Sequence, residues 1–353
     1  MTCASTASPA DVAAAAGAHG AAAGGRASSA YERPAAALAG TSAAPVLAVT
    51  ADGAFLLAWE QRADGESDIV FRRREPGTRG WVEPARRLDT DAPGAARSIE
   101  PRIAAGPGGL VLVAWQDART GTDQIRLNRS TDGGRSWWKD DVAPGAPREA
   151  ADSARVGPAT LPFVAVDGTG RAYLAWEDRR DGWRDVYLAR SLDAGATWQT
   201  PVRADSDPPG RGISYHPQIL AWDDGTMLVC WWDERDGRAD VYVRRSTDAG
   251  ASWTGPEVRI DPGEAGRTAS HEVRLERHGD SVAISWQEGF DPASPSYLVR
   301  TSPDRGATWD DVRPLAARAP AAARATAANG ESLHAWVDDG GKLRVRHRAA
   351  GSR

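Results

Sequence analysis

The stretch "STDGGRSWW", Ser130 to Trp138, sets a tryptophan directly against a polar, glycine-bearing turn. The chain repeats the arrangement as "SLDAGATW" (Ser191–Trp198), "STDAGASW" (Ser246–Trp253) and "SPDRGATW" (Ser302–Trp309). Four copies of S-x-D-x-G-x-[ST]-W mark an internal repeat, and a repeat constrains architecture more than any local propensity. A second tryptophan precedes each box: Trp115, Trp176 and Trp231 lie 15 residues before the box serine and Trp286 lies 16 before it. Trp59 stands in the same relation to the degenerate box "REPGTRGW" at Arg74–Trp81, and Trp336 marks a sixth copy with no box after it.

Each repeat reads as four short strands. Around Trp176 these are "PFVAV", "AYLAW", "VYLARS" and "TPVRAD", separated by Gly/Asp turns and with the box between the third and fourth. The predicted fold is all-β, a six-bladed β-propeller of four-stranded antiparallel blades. The last repeat ends after its third strand, so a strand from the N-terminal side is expected to close it, which removes a free edge. Within a box, Asp248 is placed to accept hydrogen bonds from its own turn and Gly250 to take a positive φ.

Composition narrows function. The net charge is −5 over 353 residues with no sustained basic tract, so nucleic acid is not an expected partner. No apolar run is long enough to span a bilayer. Cys3 and Cys230 belong to no Cys/His cluster, and neither a metal nor a cofactor is expected. "LDTD" after Arg87 and "ADSD" after Arg203 hint at calcium but read more simply as turns. Residues 1–43 are rich in Ala, Gly and Ser and read as a leader or tether, with part of 28–43 the closing strand; residues 44–349 form the propeller. If translation starts upstream of Met1, Cys3 becomes a candidate lipid-attachment cysteine.

The boxes resemble the Asp-box, or bacterial neuraminidase repeat, and the chain over roughly 45–348 is similar to the sialidase superfamily of six-bladed propellers. That resemblance implies an extracellular or cell-envelope protein, monomeric, that acts on or recognises glycans, with exo-α-sialidase-type hydrolysis as its sharpest form. It also implies an Arg-Ile-Pro motif, an acid/base carboxylate, an arginine cluster for the sialic acid carboxylate, and a tyrosine nucleophile. Arg102-Ile103 looks like the first, with Ala104 in place of proline; Arg119 falls where a pocket arginine is expected and Asp123 where the acid/base is. The last repeat has no tyrosine, leaving Tyr297 and Tyr215 as substitutes. A non-catalytic propeller that binds glycan or protein through the same face is the alternative.

Repetition itself sorts the candidates. Asp117-x-Arg119-x-Gly121 recurs as Asp178-x-Arg180-x-Gly182 and Asp233-x-Arg235-x-Gly237, which favours a structural loop, since catalysis needs asymmetry. The residues that break the repeat on the face opposite the boxes are Glu100, Arg102, Arg155, Tyr215, His216, His271 and Glu272, with Trp183 in a loop between strands two and three. They are the candidate substrate-binding residues.

Overall fold

A computed structural model describes residues 31–32, 40–63, 65–82, 84–145, 157–289, 296–315, 323–338 and 340–349. Five four-stranded antiparallel sheets and one three-stranded sheet form six blades. The inner strands are Thr41–Val49, Ser98–Ala105, Ala159–Val166, Ser214–Ala221, Ser270–His278 and Ala323–Thr326. In the second blade the outer strand shrinks to a bridge between Leu127 and Val142. The sixth blade is closed as expected: Tyr31 and Glu32 pair with Arg346 and Val345. Among the described residues no helix is long and apolar enough to cross a membrane.

The second strand of each blade carries the apolar run because it is sandwiched between two neighbouring blades. Val111–Asp117 and Ala172–Asp178 are buried at every position, which is why they read as continuous hydrophobic stretches rather than alternating ones. The cores lie between blades. Leu112, Ala114, Leu174 and Trp176 share one cluster, and Tyr173, Ala175, Val229 and Trp231 the next. A further cluster joins Phe55 and Leu57 of the first blade to Leu333 and Ala335 of the sixth. At that seam the degenerate box puts Arg74 where a serine stands elsewhere. Its fully buried guanidinium pairs with Glu331, which also meets His347 at 2.7 Å.

The box turns answer why tryptophan sits beside so polar a stretch. Ser246 Oγ accepts the Gly250 N–H (2.9 Å), and Asp248 Oδ1 accepts the Ser252 N–H (2.8 Å). Gly250 has φ 77°, and a Cβ there would lie 2.8 Å from Met227 Sδ, so two separate constraints exclude a side chain. The tryptophan then turns inward: Trp137 packs edge-on against Phe71 of the preceding blade at 4.8 Å. Polar atoms fix the turn and the indole seals the gap between blades. Replacing Asp248 with alanine should cost about 1–3 kcal/mol, because turn N–H groups lose their acceptor. A urea midpoint equal to that of the unaltered protein would remove this role.

The D-x-R loops are structural, and the indole is part of them. Trp115, Trp176 and Trp231 donate Nε1–H to the aspartate two residues on, at 2.9, 2.7 and 3.2 Å. Each aspartate also takes its arginine: Arg119 Nη2 at 2.6 Å from Asp117, Arg180 Nη2 at 2.6 Å from Asp178, and Arg235 Nη2 at 2.7 Å from Asp233. Cys230 is a buried free thiol, and Cys3 lies outside the described residues.

Candidate functional site

In five blades the inner strand breaks register near its start, at a residue with left-handed backbone. These are Ala44 (φ 43°), Glu100 (53°), Leu161 (50°), His216 (50°) and Glu272 (52°). Proline follows in four of them (Pro45, Pro101, Pro162, Pro217), where the bulge leaves no ladder partner for an N–H. The backbone device is common to the blades; the side chain it carries is not. A positive φ at a non-glycine residue is costly, so its recurrence is a feature of the architecture.

The bulges lie at the end of the molecule opposite the boxes, and there two of the residues that follow a blade tryptophan meet the next blade. Glu60 Oε1 accepts the Glu100 N–H at 2.7 Å, and Glu177 Oε1 accepts the His216 N–H at 3.0 Å. Glu100 pairs with Arg102 at 3.3 Å, and Arg102 Nη1 donates to the Pro101 carbonyl at 2.9 Å. Glu177 is buried and holds Arg184 Nε at 3.0 Å and the Thr160 hydroxyl at 3.2 Å. The Arg184 guanidinium lies 4.9 Å from the centre of the Tyr215 ring, which stacks on Trp232 at 4.2 Å. His216 stacks on the same indole at 5.8 Å.

Electrostatics tie these groups into one site. Burial pushes the Glu60 carboxyl up to about 7; the Glu100 N–H opposes the shift and the Glu100 charge adds to it. Burial likewise raises Glu177 to about 7 against the pull of the His216 N–H and Arg184. His216 is driven down to about 4 by burial and by the charges of Arg102 and Arg184, so its imidazole is neutral at pH 7. Burial raises Tyr215 as well, which suits a stacking ring better than an ionised nucleophile.

Of the residues singled out in the sequence, Glu100, Arg102, Tyr215 and His216 come together here. Arg119 is engaged elsewhere: besides Asp117 it reaches Asp141 at 3.0 Å. Asp123 pairs with Arg97 at 2.9 Å, and its carbonyl accepts the Ala159 N–H. His271 and Glu272 occupy the equivalent bulge of the fifth blade, and Tyr297 stands opposite Gln287 on its third strand. Arg155 lies outside the described residues. Glu60, Glu177, Arg184 and Trp232 were not among the candidates. The signal was present one strand away: the residue after the blade tryptophan runs Glu60, Gln116, Glu177, Trp232, Gln287, Val337, the same broken symmetry.

Two other features are set apart from this site. A cavity of about 350 Å³ on the axis is lined at the box end by residues such as Ala48, Ala104, Val166 and Leu220. The two acidic clusters, Asp68/Asp89/Asp91 and Asp185/Asp205/Asp207, are each organised around a guanidinium. Arg87 Nη1 lies 3.1, 2.9 and 3.4 Å from its three carboxylates, and Arg203 Nε lies 2.9 Å from Asp205.

Burial still raises Asp205 to about 8, with Arg203 opposing and Asp185 reinforcing the shift. Together with Glu60 and Glu177 this fixes a sign. Carboxyls whose folded pKa is raised make the native state hold more protons than the unfolded chain, so stability falls as pH climbs from about 4.5 to 8. The Ser252 hydroxyl and N–H hold Asp248 near 2, and that contribution is lost below about pH 4. The melting temperature is therefore expected to be higher at pH 5 than at pH 8, by scanning calorimetry. A flat or inverted profile would contradict the burial of these carboxyls.

The architecture has known counterparts. The family model described as "BNR repeat-like domain" matches residues 112–337. A xyloglucanase from Paenibacillus sp is 27% identical over 163 residues, which cover 40% of this chain and only 15% of that protein. Among solved structures, a protein of unknown function from Dyadobacter fermentans superposes with a TM-score of 0.62 at 14% identity, covering 88% of this chain and 96% of that one. The α-L-arabinofuranosidase of Fusarium graminearum gives 0.59 at 16% identity, with 90% and 95% covered. The Trypanosoma rangeli sialidase gives 0.56 at 11%, with 91% and 59% covered. At such identities the structural likeness carries the fold. With the family model spanning most of the blades, the chain belongs to the BNR repeat-like family, as a six-bladed propeller of sialidase-like build.

Proposed function

We propose that the protein is an extracellular glycoside hydrolase that cleaves neutral glycans at the bulge end of the propeller axis. The observation that carries this is the Glu60–Glu100 pair. One half-buried carboxyl titrates near 7 beside a second that is held by Arg102. Neighbouring carboxyls in unlike environments are the usual way to obtain an acid and a base at one pH. In hydrolysis the anomeric C–O bond breaks, the leaving oxygen takes the proton of the acid, and water adds to the anomeric carbon and gives its proton to the base. Glu60 suits the acid, since burial keeps its proton near neutrality, and Glu100 the partner. Tyr215, His216 and Trp232 supply ring faces for a sugar. Glu177 is a positioning residue that holds the His216 backbone and Arg184.

Charge pairing favours a neutral substrate over a sialoside. Arg97, Arg102, Arg119, Arg180, Arg184 and Arg235 each already hold a carboxylate. An anionic sugar would have to compete with partners that are tethered in place. Initial rates on aryl arabinofuranosides, xylosides and glucosides, beside an aryl sialoside, test the reading with Glu60→Gln as control. Turnover confined to the sialoside would return the assignment to Arg102, Arg119 and Asp123.

One observation supports the non-catalytic alternative: Glu60 and Glu177 do the same structural job, each accepting a bulge N–H from the next blade. Glycan binding without turnover by the unaltered protein would select it.

A further inference from the structure

We propose that Trp183 is an outer subsite that holds a second or later sugar of a neutral oligosaccharide, so that the ligand is a chain and not a single terminal residue. This rests on the glycan reading above. Trp183 is 54% exposed, and it is the one aromatic residue among the large exposed hydrophobics of the described residues. Leaving an indole in water forfeits the free energy its burial would give, so a ligand that covers the ring recovers it.

The ring sits on a held loop. Arg180 is clamped to Asp178 at 2.6 Å, and the Tyr187 hydroxyl donates to Asp181 at 2.5 Å. The blades that share the D-x-R-x-G loop have Thr122 and Arg238 at the matching position, so the tryptophan serves no need common to the blades. Its chain neighbour, Arg184, is the residue that grips Glu177 and covers Tyr215. The platform is therefore one residue along the chain from the group that covers the aromatic shelf of the site.

The surroundings decide the class of ligand. The other large exposed apolar residues are Val82, Leu192, Val202 and Val258, which lie in box turns and outer strands. Trp183 is thus an isolated ring beside Asp181 and Arg184. A stable protein interface buries about 800 Å² per partner, far more than one ring offers. One indole face matches one pyranose or furanose ring, with charged groups at its edge to meet hydroxyls.

Isothermal titration of the full chain with arabinose-, xylose- and glucose-based oligosaccharides of one to five units tests the proposal. For the unaltered protein, affinity should rise with length. Trp183→Ala should lose roughly tenfold on the longer oligomers and nothing on the monosaccharide, while Trp183→Phe should keep most of the gain. Melting curves should differ little, because more than half of the residue already lies in solvent. Equal binding by Trp183→Ala at every length, or an equal loss on the monosaccharide, overturns the outer subsite and leaves the glycan reading standing. Failure of the unaltered protein to bind any length overturns both.

Discussion

Replacing Asp178 with alanine is expected to destabilise the protein by roughly 3–5 kcal/mol, the cost of leaving a buried charge without its partner. The aspartate is buried and takes four bonds from three groups. Trp176 Nε1–H lies at 2.7 Å, the Arg180 N–H at 2.8 Å, and the Arg180 guanidinium at 2.9 and 2.6 Å. Alanine would strand an indole N–H inside the sheet and a guanidinium that lies over the Tyr187 ring. Asp123→Ala is the internal control. Its pair with Arg97 is solvent-exposed, and such pairs contribute about 0–1 kcal/mol. Urea unfolding of both variants should separate them clearly. A loss for Asp178→Ala no larger than for Asp123→Ala would show that the D-x-R loop does not hold the blade.

Glu60→Gln is expected to lower kcat by about 10²–10⁴-fold on whichever neutral glycoside is turned over, the usual contribution of a general acid. The substitution keeps an oxygen to accept the Glu100 N–H, so the bulge and the melting curve should survive. Because an acid must be protonated, the rate of the unaltered enzyme should fall above about pH 7. Glutamine at position 60 should abolish that limb along with most of the rate. Glu177→Gln separates positioning from chemistry: it should raise KM, through the His216 and Arg184 contacts, more than it lowers kcat. Undiminished turnover in Glu60→Gln would transfer the acid role elsewhere.

The sequence carried the blades because each blade is local. A tryptophan closing an apolar run, a polar loop, a third strand and a boxed turn all fall within about sixty residues, and the pattern is written several times over. The missing last strand was legible for the same reason, as a repeat that stops short, and Tyr31–Glu32 fill it. The repetition of D-x-R also set Arg119 apart from the residues that differ between blades, and in the structure Arg119 holds Asp117 and Asp141.

The site was legible only in part. Glu100, Arg102, Tyr215 and His216 could be named from one end of the inner strands, because their positions break the repeat. Glu60 and Glu177 could not be given a role from sequence, since each touches a residue about 40 positions away, in the next blade. The placement of Arg184 over the Tyr215 ring of the next blade is likewise settled by blade-to-blade packing. By itself, then, the sequence determined the number of blades, their strand order, the turn chemistry and the end of the ring that varies. Only the tertiary structure decided which variable residues meet and which carboxyls retain a proton near pH 7. Those depend on burial and on neighbours across a blade interface, and both exist only once the ring has closed.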